Sequence, residues 1–145
     1  LAQKIAMENK VENLIKFHQP VSHLEAIKIQ TQSDILLLLP GYTKEEKGVF
    51  TGKLFEYLGA RRPILCVGNT EGVAAELIRE RSAGVTSADP ETIAKQLLFW
   101  IKEKKEAREI PFLDPAVGKG FTRREQTEKL VKFIDFCLKN SDLKL

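Results

Sequence analysis

The sequence predicts an α/β fold: a Rossmann-like parallel sheet with helices on both faces. Three observations carry it. First, "DILLLLP" (34–40) and "PILCVG" (63–68) are short apolar runs that read as strands buried on both faces, with Pro40 ending the first. Second, helical stretches with N-terminal caps separate and follow them. Third, strand and helix alternate along the chain, the order that builds parallel sheets.

Each element has its local reason. "VENLIKF" (11–17) reads as a short strand with a polar start. "SHLE" (22–25) is a capping box, Ser22 with Glu25, opening a helix to about residue 32. After the strand at 34–40 comes a polar loop, "GYTKEEKGV" (41–49), and then a short helix, "TGKLFEYLGA" (51–60). The strand at 63–68 leads to a helix over 71–84, with Gly84 as its stop. "VTSA" (85–88) is a short strand. "DPETIAKQLLFWIKEKKE" (89–106) opens with Asp89 as cap and Pro90 at the first helical position. "IPFLDPAVGKG" (110–120) is an irregular connection. "TRRE" (122–125) is a second capping box, and the helix after it is expected to bury Leu130, Val131, Ile134, Cys137 and Leu138. Phe133 and Phe136 widen that apolar face and suggest a second contact surface, and the tail "SDLKL" is expected to fray. The sheet is expected to have four or five strands, with Ile35–Leu39 central.

Composition bounds the function. The chain has 145 residues, enough for one domain with a core. Its net charge of +3 and pI of about 8.9 are mild, and acidic residues are mixed among the basic ones. This is a solvated surface and not a nucleic-acid-binding one, although an anionic membrane surface would attract it weakly. The run 35–39 is too short to span a bilayer. Cys66 and Cys137 sit in apolar contexts without a CxxC, which predicts two buried, reduced thiols in a cytoplasmic protein. His18 and His23 have no ligand-spaced companions, and no metal site is expected. The chain opens with Leu and no visible signal peptide, and reads as a processed chain or a piece of a longer one.

In parallel α/β sheets, ligands bind beyond the carboxyl ends of the strands. Loop 41–52 follows the strongest strand and carries Gly41, Gly48 and Gly52. A glycine-containing loop entering a helix offers free backbone N–H groups and the positive end of a dipole, an anion site. Lys53 falls in the first helical turn, where a cation is disfavoured by up to about 1 kcal/mol. It makes sense there as a charge for a phosphate. Glu56 could accept hydrogen bonds from a ribose diol. The competing reading is a plain i,i+3 surface ion pair between Lys53 and Glu56. No GxGxxG and no GxxxxGK[ST] occurs.

The run "SDILLLLP…KGVFTGKLFEYLGARRPILCVGNTEGVAAELIRERSAG", continued by "FTRREQTEKLVKFI", resembles the C-terminal domain of the retaining, nucleotide-sugar-dependent glycosyltransferases of GT-B architecture (glycosyl transferases group 1). The resemblance covers most of residues 11–138 and rests on the order of loose motifs. It implies one half of a GT-B architecture: residues 1–145 as a donor-binding domain, with an N-terminal acceptor domain elsewhere in a parent chain. It implies a donor nucleotide diphosphate-sugar, an acceptor polysaccharide or glycolipid, and a parent enzyme that associates peripherally with the inner face of the membrane. This piece alone would be inactive. The resemblance also implies that Glu56 binds the ribose hydroxyls and that Lys53 lies beside the diphosphate. The turn holding Gly48, Thr51 and Gly52 would approach sugar and phosphates through its backbone, and loop 18–23 would meet the base. No Asp-x-Asp occurs, and neither a metal nor another cofactor is expected. Many members carry a second Glu eight positions before the ribose Glu; here that residue is Gly48. The alternatives are a non-catalytic α/β nucleotide-binding module and a nucleotide-sugar epimerase of the same architecture.

Overall fold

A computed structural model describes residues 2–40, 48 and 50–140. The expected loop at 41–47 and 49, and the tail 141–145, lie outside the described residues. Helix α1 (Ala2–Glu8) and a short 3-10 turn (Glu12–Leu14) precede α2 (His23–Gln32). Then β1 (Leu36–Leu38), α3 (Gly52–Ala60), β2 (Ile64–Val67), α4 (Val73–Glu80) and β3 (Gly84–Ser87) alternate. Helix α5 (Pro90–Ala107), a 3-10 turn (Pro115–Gly118) and α6 (Arg123–Asn140) follow.

The three strands form a parallel sheet in the order β1-β2-β3, with Leu36 opposite Ile64 and Ile64 opposite Gly84. This is an α/β architecture compatible with a Rossmann-like fold. Alternation along β2 sorts its side chains between two cores. Ile64 and Cys66 pack with Leu38, Leu54, Leu58 and Ile78, under α3 and α4. Leu65 packs with Trp100 and Ile110, under α5. Helices therefore cover both faces, as expected.

The predicted N-terminal caps at Ser22, Asp89 and Thr122 form. The Ser22 hydroxyl accepts from the Glu25 N–H at 3.3 Å, and the Asp89 carboxylate from the Thr92 N–H at 2.8 Å. Thr122 and Glu125 cap each other reciprocally, at 3.1 and 3.2 Å.

Several expectations are corrected, beginning with the strand number: the described sheet has three strands, not four or five. Residues 11–17 form no strand: Glu12–Leu14 is a 3-10 turn, and Ile15 and Phe17 are exposed. A β-prone run becomes a strand only against a ladder partner, and this one meets none among the described residues. It follows that β1 is an edge strand of the described sheet, not a central one. Its Leu37, on the opposite face from buried Leu36 and Leu38, is 53% exposed, and the cluster under α5 includes Ile35 and Leu65 but not Leu37.

Gly84 opens β3 instead of stopping a helix; α4 ends at Glu80. A Cβ on Gly84 would lie 1.9 Å from the Ile64 carbonyl oxygen, so the glycine is there for close strand approach. Last, α6 buries none of its residues. Leu130, Val131, Ile134 and Leu138 are exposed instead of buried, whereas the exposure of Phe133 and Phe136 agrees with the expectation that they widen the face beyond one core contact. Cys137 is exposed as well, so only Cys66 is a buried thiol. The apolar face of α6 has no covering element within the described chain.

Candidate functional site

The carboxyl end of β1 and the start of α3 frame a cleft of about 530 Å³. Leu37, Leu38 and Leu39 form one wall; Thr51, Gly52, Lys53 and Glu56 form the other. The local sequence explains the helix wall. Thr51 has extended backbone angles and stands at the N-cap, so α3 begins immediately after it. Leu54 and Leu58, one turn apart, are buried and anchor α3 on the sheet. That leaves Lys53 and Gly52 exposed on the turn facing out.

The start of α3 lacks the groups that normally quiet a helix N-terminus. The Thr51 side chain makes no capping hydrogen bond, and no acidic residue sits in the first turn. The Thr51 hydroxyl oxygen is buried without a partner. Lys53 makes no ion pair with any described residue, and it is not bonded to Glu56, whose partners lie on another helix. The plain i,i+3 surface pair is thus not what the structure contains. One Glu56 oxygen accepts from the Gln30 amide at 3.0 Å, and the other lies 3.9 Å from His23 Nδ1. The Glu56 side chain is 33% exposed, so its carboxylate keeps acceptor capacity towards the cleft.

The neighbouring Tyr57 hydroxyl donates to the Leu37 carbonyl at 3.3 Å, tying α3 to β1. Burial, with a contribution from the Glu56 charge, raises its pKa. Arg79 secures the next loop, donating to the Thr70 carbonyl at 2.8 Å and the Thr86 hydroxyl at 3.0 Å.

Of the sequence-predicted residues, Thr51, Gly52, Lys53 and Glu56 come together. Gly48 is exposed and is not part of the cleft wall. A Cβ on either Gly48 or Gly52 would meet nothing within 4 Å, so neither glycine is demanded by internal packing. Residues 18–23 are exposed, and only His23 approaches the site. Sequence reasoning missed Gln30. It sits 26 positions from Glu56, and no local pattern announces such a pair.

A larger depression, about 650 Å³, lies between α3 and residues 115–125. Two of its charged members already have partners: Arg61 donates to the Leu113 carbonyl at 2.7 Å, and Glu125 caps α6. The smaller cleft is the better candidate because it lies at the carboxyl end of β1 and holds the uncapped start of α3. Among the described residues, no group of three or more His, Cys, Asp or Glu side chains could hold a metal. None of the helices described is long and apolar enough to cross a membrane.

Compared with known protein families, curated proteins and solved structures, the chain matches none.

Proposed function

We propose that this chain is the donor-binding part of a retaining GT-B-type glycosyltransferase, holding a nucleotide diphosphate-sugar for transfer to a polysaccharide or glycolipid. One observation supports this above the others. Thr51, Gly52, Lys53 and Glu56 converge on a single cleft at the carboxyl end of β1, with Lys53 unpaired among the described residues.

In this reading the diphosphate sits at the start of α3. Free N–H groups, the helix dipole and the Lys53 ammonium favour negative charge there. The same groups would stabilise the diphosphate as it departs, when charge on it grows. Glu56 accepts from the ribose hydroxyls. The base lies towards loop 18–23. An acceptor domain of the same parent chain would face the cleft and complete the active centre, and this part alone would not turn over. Gly48, where many members of the resembled family have Glu, leaves the transferred sugar without a carboxylate contact from that position.

The test is calorimetric titration of the full-length protein with ADP, GDP and UDP. Lys53→Ala and Glu56→Ala each remove a charge-assisted hydrogen bond, so each should weaken the preferred nucleotide by about tenfold to a hundredfold. The melting temperature should barely move for Lys53→Ala, whose side chain is exposed, and should fall modestly for Glu56→Ala, which also leaves the Gln30 amide without its acceptor. Equal nucleotide affinity in wild type and both variants would sink the assignment.

A further inference from the structure

We infer that Gln30 is a positioning residue for nucleotide recognition: its amide holds the Glu56 carboxylate in the orientation that reads a ribose diol. The inference rests on the nucleotide-binding reading of the same cleft.

The contact joins the last turn of α2 to the middle of α3, with Gln30 Nε2 donating to Glu56 Oε2 at 3.0 Å. A glutamate side chain at a cleft wall has several rotamers, and a pair of vicinal hydroxyls is chelated only by a carboxylate of fixed plane. Anchoring one oxygen fixes that plane and leaves the other lone pairs for a ligand. His23 Nδ1, at 3.9 Å from the second oxygen, is too distant for a hydrogen bond and leaves that oxygen available.

The other end of the amide shows that Gln30 is poorly suited to a purely structural role. Gln30 Oε1 is buried and accepts no hydrogen bond. The bond to Glu56 therefore sets which way the amide faces; turning it over would put two acceptors together. An orphaned buried acceptor costs stability, and an apolar side chain of similar shape would remove that cost. Stability and ligand binding should consequently respond to substitution in different directions.

The experiment uses the full-length protein and the ribose and deoxyribose forms of ADP, GDP and UDP. Wild type should prefer the ribose form of its nucleotide. Gln30→Met keeps length and volume but donates nothing. It should weaken the ribose form by about tenfold, and so abolish the preference, with an unchanged or raised melting temperature. Gln30→Glu sets a second carboxylate against Glu56 and should produce the same loss. Lys53→Ala, by contrast, should weaken both forms equally, because it acts on the phosphates. Retained ribose preference in both Gln30 variants would overturn the inference and leave the nucleotide reading intact. Weakening of both forms together with a lower melting temperature, or loss of fold in both variants, would make Gln30 structural and overturn it too. No binding of any of these nucleotides by wild type would overturn the nucleotide reading, and this inference with it.

Discussion

The guanidinium of Arg62 lies 3.7 Å from the centre of the Phe112 ring. Arg62 also donates to the Thr31 carbonyl at 3.0 Å and the Ile110 carbonyl at 2.9 Å. One buried side chain thus pins the end of α2, the start of β2 and the connection after α5. Replacing it with Ala would remove the stacking and strand the Ile110 carbonyl without its donor. We expect Arg62→Ala to cost about 3 kcal/mol, and Arg62→Lys about 2, since an ammonium cannot stack or fork in the same way. Urea unfolding reads both as a lowered midpoint at unchanged slope. A Lys variant as stable as wild type would show that charge alone suffices.

Gly84 faces the Ile64 backbone so closely that any side chain must displace β2 or β3. Gly84→Ala should destabilise by at least about 3 kcal/mol, because the obstruction is backbone and not a flexible side-chain end. Thermal melts of this variant beside Gly59→Ala make the comparison. A Cβ at Gly59 meets nothing within 4 Å, so that change should be neutral or stabilising.

The two cysteines should react very differently. Burial pushes the Cys66 thiol up to about 11, keeping it protonated and shielded at neutral pH, whereas Cys137 is exposed on α6. A maleimide followed by mass spectrometry should add one label to the native protein, at Cys137, and two after denaturation. Rapid labelling of Cys66 in the native state would contradict the packing of β2.

Acid should loosen the helix starts. Hydrogen bonds from Thr122 and Gly120 hold the Glu125 carboxyl below its usual range, and those from Thr92 do the same for Asp89. A depressed folded-state pKa contributes stability above the unfolded value, roughly 4, and that contribution disappears as pH falls through the folded value. Glu125→Gln should therefore flatten the acid limb of a stability–pH profile while leaving its shape near neutrality unchanged. An identical acid limb in both proteins would mean that the cap contributes nothing.

The helix starts were legible because a cap is a local contract: Ser22, Asp89 and Thr122 bond to groups three positions away. The same holds for Lys53 and Glu56, whose spacing around one helix start suffices to place them on one cleft. Segment 11–17 was misread because a strand needs a partner that composition does not name. The exposure of Leu130 and Cys137 was missed for a related reason: periodicity marks a face as apolar without saying whether anything covers it.

The sequence by itself determined the alternation of strands and helices from residue 22 onward, the N-terminal caps at Ser22, Asp89 and Thr122, and the loop-to-helix junction at Thr51. All of these follow from preferences acting within a turn or two of chain. Only the tertiary structure decided that β1 stands at the edge of the described sheet. It also decided that Gly84 must admit the Ile64 backbone, and that Glu56 turns to Gln30 instead of Lys53. These depend on which segments meet across long separations. Meeting is decided by packing and by the need of each buried polar group for a partner, neither of which is written at any one position.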